Sequence, residues 1–157
     1  MTRHALNNRL LLASLAFLAL PAASAPGGES LTVEVNNVRV AKGVVHVDIC
    51  PENLFLKDDC PWSADAPAQI GLTRVTVHGV PAGRYAAQVF LDENRNGKTD
   101  RALFGIPKEG VGFSNDAPIR MSPPKWADAV FNYNGAAQTI RLNLRYFLGA
   151  KGPPEKK

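Results

Sequence analysis

From residue 31 onward, apolar and polar side chains alternate. Leu31, Val33 and Val35 fall on one face, Thr32, Glu34 and Asn36 on the other, and Val38 and Val40 continue the pattern. A period of two predicts a half-buried strand. Lys42-Gly43 then predicts a hairpin turn into a second strand ending at Cys50, with either Val45, Val47 and Ile49 or Val44, His46 and Asp48 facing inward. Ile70, Leu72, Val75 and Val77 predict a third strand. The turn Val80-Pro81-Ala82-Gly83 leads into a fourth over residues 84–91, which puts Tyr85, Ala87, Val89 and Leu91 on one face. Late strands are predicted at 129–133 and 139–147, the second carrying Ile140, Leu142, Leu144 and Tyr146 in alternation. Beyond the first 25 residues no window holds a capped helical period. Several short strands between Gly and Pro turns predict an antiparallel sandwich or barrel, and we take the chain as all-β, a single antiparallel β-sandwich.

Some segments do not follow the alternation. Residues 51–67 hold Pro51, Pro61 and Pro67 without a period and read as a loop. Residues 101–127 form one long irregular loop, with prolines at 107, 118, 123 and 124. Its Phe104, Ile106, Phe113, Met121 and Trp126 are too apolar for a solvated linker, so they are expected to anchor it over the sandwich. Residues 149–157 read as a disordered tail. At the other end, Arg3, His4 and Arg9 precede an apolar run over 10–20 that is interrupted only by Ser14, then Pro21 and Ala22-Ala23-Ser24-Ala25. This is the pattern of a secretory signal over residues 1–25, cleaved after Ala25 or Ser24. The run falls short of the roughly 20 residues a membrane span needs, so no transmembrane anchor is expected after cleavage. The short, weakly basic start has a bacterial character and implies a periplasmic or secreted location in the bacterial envelope. The sandwich domain then runs over 26–148.

Composition and charge narrow the function. The chain is 45% hydrophobic, 20% charged and 8% aromatic, which is globular and not disordered. Its net charge of +4 falls to +2 without Arg3 and Arg9, leaving 16 basic against 14 acidic residues. No basic run interleaved with aromatics remains, so nucleic acid is not an expected partner. Export gives meaning to the two cysteines, Cys50 and Cys60, which are separated by nine residues. In an oxidising compartment they predict a disulfide worth about 2–3 kcal/mol by loop entropy.

The densest chemistry lies in Asp92-Glu93-Asn94-Arg95-Asn96-Gly97-Lys98-Thr99-Asp100. Asp92, Asn94, Asn96 and Asp100 occupy the first, third, fifth and ninth positions of an EF-hand-type calcium loop, Gly97 the sixth, and the Lys98 carbonyl the seventh. Calcium is therefore the one cofactor the sequence admits. The twelfth position, where a bidentate Glu belongs, is Leu103, and Glu109 or Asp116 would have to return in its place. The competing reading is a plain turn, because Asn96-Gly97 is a strong hairpin signal and Asx side chains bond to their own backbone.

Leu91 to Asp100, followed by Leu103-Phe104-Gly105-Ile106-Pro107-Lys108-Glu109 and Gly112-Phe113-Ser114-Asn115, resembles the signature of a bacterial exported family known as domain of unknown function number 2141. Val80-Pro81-Ala82-Gly83-Arg84-Tyr85 and Pro123-Pro124-Lys125-Trp126 extend the resemblance over roughly residues 31–147. It implies a small exported β domain similar to Ig-like or prealbumin-like sandwiches and supplies no catalytic residues.

Catalytic candidates are few. His46 and His78 sit in predicted strands without metal-ligand spacing, Ser114 lies outside a nucleophile-elbow pattern, and Asp58-Asp59 are adjacent and diverge. The balance leans away from an enzyme. Two binding roles remain. In one, Trp62, Phe104, Phe113 and Trp126, with Phe131 and Tyr133, form an apolar surface rimmed by Arg and Lys for a small molecule or glycan. In the other, an edge strand makes the chain an accessory to an envelope protein.

Overall fold

The computed structural model describes residues 29–120 and 122–154; the expected leader and Met121 lie outside them. Among the described residues eight strands form in chain order: β1 (Leu31–Val38), β2 (Val44–Cys50), β3 (Trp62–Pro67), β4 (Gly71–Val77), β5 (Gly83–Asp92), β6 (Val111–Phe113), β7 (Phe131–Tyr133) and β8 (Gln138–Asn143). One short helix, α1 (Trp126–Ala129), precedes β7. The strands make two sheets, one ordered β4-β1-β8, the other β3-β2-β5-β6 with β7 also on β5. The fold is an all-β sandwich with a long irregular loop, and its pairs are antiparallel except β1 with β8, which run parallel.

The core forms where the inward faces of the two sheets meet. Leu31, Val33 and Val35 of β1 pack with Val45, Val47 and Ile49 of β2 and with Tyr85, Ala87, Val89 and Leu91 of β5. This settles the parity of β2: the valine–isoleucine face is inside, and Val44, His46 and Asp48 lie on the outer face. Leu142, Leu144 and Tyr146 are buried as their alternation predicts. Regular pairing stops at Asn143, however, and Arg145 bridges to Val111 of β6, so this strand crosses from one sheet to the other.

Four local expectations are corrected. Lys42-Gly43 is an arch between the two sheets and not a hairpin, since β1 and β2 do not pair. Gly43 has φ +74°, and a Cβ there would lie 1.8 Å from the Asp92 carbonyl oxygen. Residues 62–67 form a strand, β3, paired along β2, where a loop was expected. Of its inward residues Trp62, Ala64 and Ala66, the two alanines are too small to show an alternation, and Pro67 is tolerated at the end of an edge strand. In β4 the inward face is Thr73, Val75 and Val77, which leaves Ile70 outside and 53% exposed. The loop over 101–127 contains β6, α1 and two single 3-10 turns at Leu103–Gly105 and Ser114–Asp116.

Residues 149–154, assigned by composition to a disordered tail, hydrogen-bond back to the sandwich. Asn37 Nδ2 donates to the Lys151 carbonyl at 2.9 Å, and Lys151 Nζ donates to the Tyr146 carbonyl at 2.8 Å. Among the described residues no helix is long and apolar enough to cross a membrane.

Candidate functional site

In an antiparallel pair, residues directly opposite one another share a face. The register of the five-stranded sheet therefore builds two rows on its outer side. One runs Asp65, His46, Phe90, Val111 across β3, β2, β5 and β6; the next runs Ser63, Asp48, Gln88, Phe113. The β2, β5 and β6 members of these rows floor a groove of about 730 Å³. That volume lies within the usual range for a small-molecule site.

Three segments wall the groove. The Cys50–Cys60 disulfide closes the first, from which Leu56 and Asp58 reach it. Gln88 pins this segment from below: its Oε1 accepts the Leu56 N–H at 3.0 Å, and its Nε2 donates to the Lys57 carbonyl at 2.7 Å. The second wall is the stretch 97–107, from Gly97 to Pro107, and the third includes Ile119, Arg120, Ser122 and Pro123. Next to the groove, Ala86, Ala117 and Ala129 make a small second core with Phe55, Phe113 and Trp126. Ser114 is fully buried there, accepting the Ala87 N–H at 2.9 Å and donating to the Ala129 carbonyl at 2.5 Å. Its hydroxyl is a structural clamp and does not face a substrate.

His46 is the most strongly perturbed group of the floor. Its Nε2 lies 3.0 Å from Asp48 Oδ1 and its Nδ1 2.7 Å from Asp65 Oδ1. The hydrogen bond to Asp48, followed by that to Asp65, outweighs burial and raises the imidazole to about 9. At neutral pH both ring nitrogens therefore carry protons and neither offers a lone pair. The Phe90 ring lies against it, 4.8 Å between centroids. His78, in contrast, is exposed just beyond β4 in the other sheet, so the two histidines share no site.

The segment 92–100 closes on itself. Asp92 is buried, with Oδ1 accepting from the Asn96 N–H at 3.1 Å and Oδ2 from the Gly97 N–H at 2.8 Å. Asn94 and Asn96 donate their side-chain amides to Asp100 at 2.7 and 2.9 Å. Glu109 returns from the long loop, as the spacing allowed, and joins both ends by accepting the Glu93 N–H at 2.9 Å and the Asp100 N–H at 3.0 Å. Burial raises its carboxyl above the usual range, and the nearby Asp100 and Asp92 add to that. Asp116 does not return; it accepts from Asn143 of β8. The oxygens nominated for calcium at Asp92, Asn94, Asn96 and Asp100 thus face backbone N–H groups or neighbouring amides. Among the described residues no three His, Cys, Asp or Glu side chains are placed to hold a metal.

The two resembling stretches, 91–100 and 103–115, therefore bound the loop that walls the groove. The sequence profile of DUF2141, an uncharacterized protein family conserved in bacteria, matches residues 33–141, from the first core strand to the last. The chain belongs to DUF2141. No curated protein and no solved structure matches it significantly. In this DUF2141 chain the six aromatics expected to share one surface divide: Tyr133 is buried in the main core, with Phe131 packed against it. Phe104 and Phe113 line the groove. Trp62 stacks edge-on against Tyr85, 5.3 Å between centroids, on the core side, and Trp126 packs on Phe55 at 5.7 Å in the second core. Nor do all the expected loop anchors serve as anchors: Phe104 is 98% exposed and Ile106 39%, while Phe113 and Trp126 are packed. Sequence reasoning missed Gln88, Asp65 and Phe90. Their signal is cross-strand register, which cannot be read before β3 is recognised as a strand.

Proposed function

We propose that this protein is an exported, non-enzymatic binding module of the bacterial envelope that takes a small ligand on the outer face of its five-stranded sheet. The observation that carries the reading is the groove itself, with a floor from three strands and walls from three segments, the first fixed by the disulfide and by Gln88. The chemistry of its floor fits binding, because an imidazolium held between two carboxylates offers no lone pair to act as a base. The test is a fragment screen followed by amide chemical shifts of the mature protein. Saturable shifts should cluster at 46–48, 88–90 and 111–113; shifts clustering elsewhere would overturn the assignment. Export predicts a periplasmic product whose N-terminus follows Ser24 or Ala25.

Calcium is a second reading of the segment 92–100. What favours it is that Glu109 returns from the long loop to both ends of the segment, although its oxygens, like those of Asp92 and Asp100, accept N–H groups and would have to turn to reach an ion. Under this reading about 5 mM Ca²⁺, and not Mg²⁺, raises the unfolding midpoint relative to EDTA by about 1 kcal/mol of linkage, and Asp92→Ala abolishes the rise. No rise would leave the loop a hydrogen-bonded turn.

A further inference from the structure

The mouth and the interior of the groove differ in chemistry. Lys98, Arg101 and Arg120 are exposed at its mouth, with Asp58 the one exposed acid there. Among the described residues none of these three cations forms an ion pair. Arg101 spends one nitrogen on the Gly105 carbonyl, at 3.1 Å, which leaves the rest of its guanidinium available. The positive charge of His46, by contrast, is already offset by Asp48 and Asp65. Behind this cationic rim the half-buried carbon surface comes from Phe90, Phe113, Ile119 and Phe147.

Phe104 adds an exposed apolar wall at the rim. It sits at φ 61°, a region that bulky side chains rarely adopt. Its tight turn is held by the Ala102 N–H on the Ile106 carbonyl at 2.7 Å and by pairing of Arg101 with Pro107. The backbone thus fixes an almost fully exposed phenyl ring on the same groove as three cations without ion-pair partners among the described residues. An uncharged or cationic ligand would make no use of that rim. An anion without carbon would make no use of the aromatics.

We propose that the groove binds a monomeric amphiphilic anion: a carboxylate, sulfate or phosphate head held by Arg101, Arg120 and Lys98, and an aryl or alkyl body laid against Phe90, Phe113 and Phe104. Guanidinium forks suit such heads because they donate two parallel hydrogen bonds. The inference rests on the binding reading above and adds to it the charge and polarity of the ligand.

Titration calorimetry with decanoate, decyltrimethylammonium and decanol, each below its micelle concentration, tests it. Decanoate should bind saturably, shift amides at 88–90 and 111–113, and weaken as salt is added. The double substitution Arg101→Gln with Arg120→Gln should weaken it at least about tenfold, with far-UV circular dichroism unchanged. Phe104→Ser should weaken it by shortening the apolar wall. If the cation or the alcohol binds as tightly as decanoate, the anion assignment is overturned and the groove reading stands. If none of the three binds, the assignment is overturned too, and the fragment screen judges the groove on its own. Binding to phosphatidylglycerol vesicles without binding to monomeric decanoate would assign the cationic rim to a membrane surface and overturn the small-ligand proposal.

Discussion

At neutral pH the His46 imidazole keeps its proton because Asp48 and Asp65 both accept from it, on opposite edges of one ring. A folded value of about 9 stands above the 6.5 of a free imidazole. The stability this group contributes is therefore complete below about pH 6.5 and is lost as pH rises through 9. Urea unfolding should show the native state weakening between pH 7 and pH 10 through this group, by about 1 kcal/mol once solvent screening at its exposed edge is allowed for. The same titration of His46→Gln should lack that component, and equal slopes in the two proteins would refute the assignment. Only part of this cluster is legible at the residue scale. His46 and Asp48 alternate visibly with Val45, Val47 and Ile49, yet either set can face inward. Asp65 gives no signal, since it reaches His46 from a strand that has only Trp62 as a large apolar residue, the rest being alanine, serine and proline.

Elements short enough to lack a period are decided by what they touch. β6 has three residues, too few to show alternation, and it is placed by pairing Gln88 with Phe113 and Phe90 with Val111. Its central residue allows close approach: a Cβ on Gly112 would lie 2.8 Å from Leu142 Cδ1 and 2.9 Å from the Asn143 carbonyl oxygen. Gly112→Ala should accordingly cost about 1–3 kcal/mol in denaturant midpoint, through overpacking against β8. Neutrality would mean that the contact between β6 and β8 is looser than its geometry. Long elements behave differently. β1 and β5 each carry enough alternating apolar residues to set their own inward face, whereas in β2 the choice between the Val45 face and the His46 face is made by packing. The arch at Lys42-Gly43 shows the limit of local reading: a Lys-Gly turn looks the same whether the strands it joins pair or part into two sheets.

Across the whole molecule, one covalent link couples the core to the groove. Cys50 ends β2 and Cys60 precedes β3, so their disulfide closes the wall segment that Gln88 then fastens to the floor. Reduction, or paired Cys50→Ser and Cys60→Ser, should lower stability by about 2–3 kcal/mol. It should also shift the Gln88 side-chain amide. An unchanged Gln88 signal would show that the wall holds without the bridge. The all-β class and the inward faces of β1 and β5 were determined by the sequence alone, because each rests on alternation within single segments, and the disulfide followed from two cysteines and the export that the N-terminal pattern implies. Only the tertiary structure decided the parallel pairing of β1 with β8, the rows that bring Asp65, His46, Phe90 and Val111 together, and the partition of the aromatics between core and groove. Those depend on register and on which sheet a strand joins. Both are set by contacts between residues far apart in the chain, where a period within one segment carries no information.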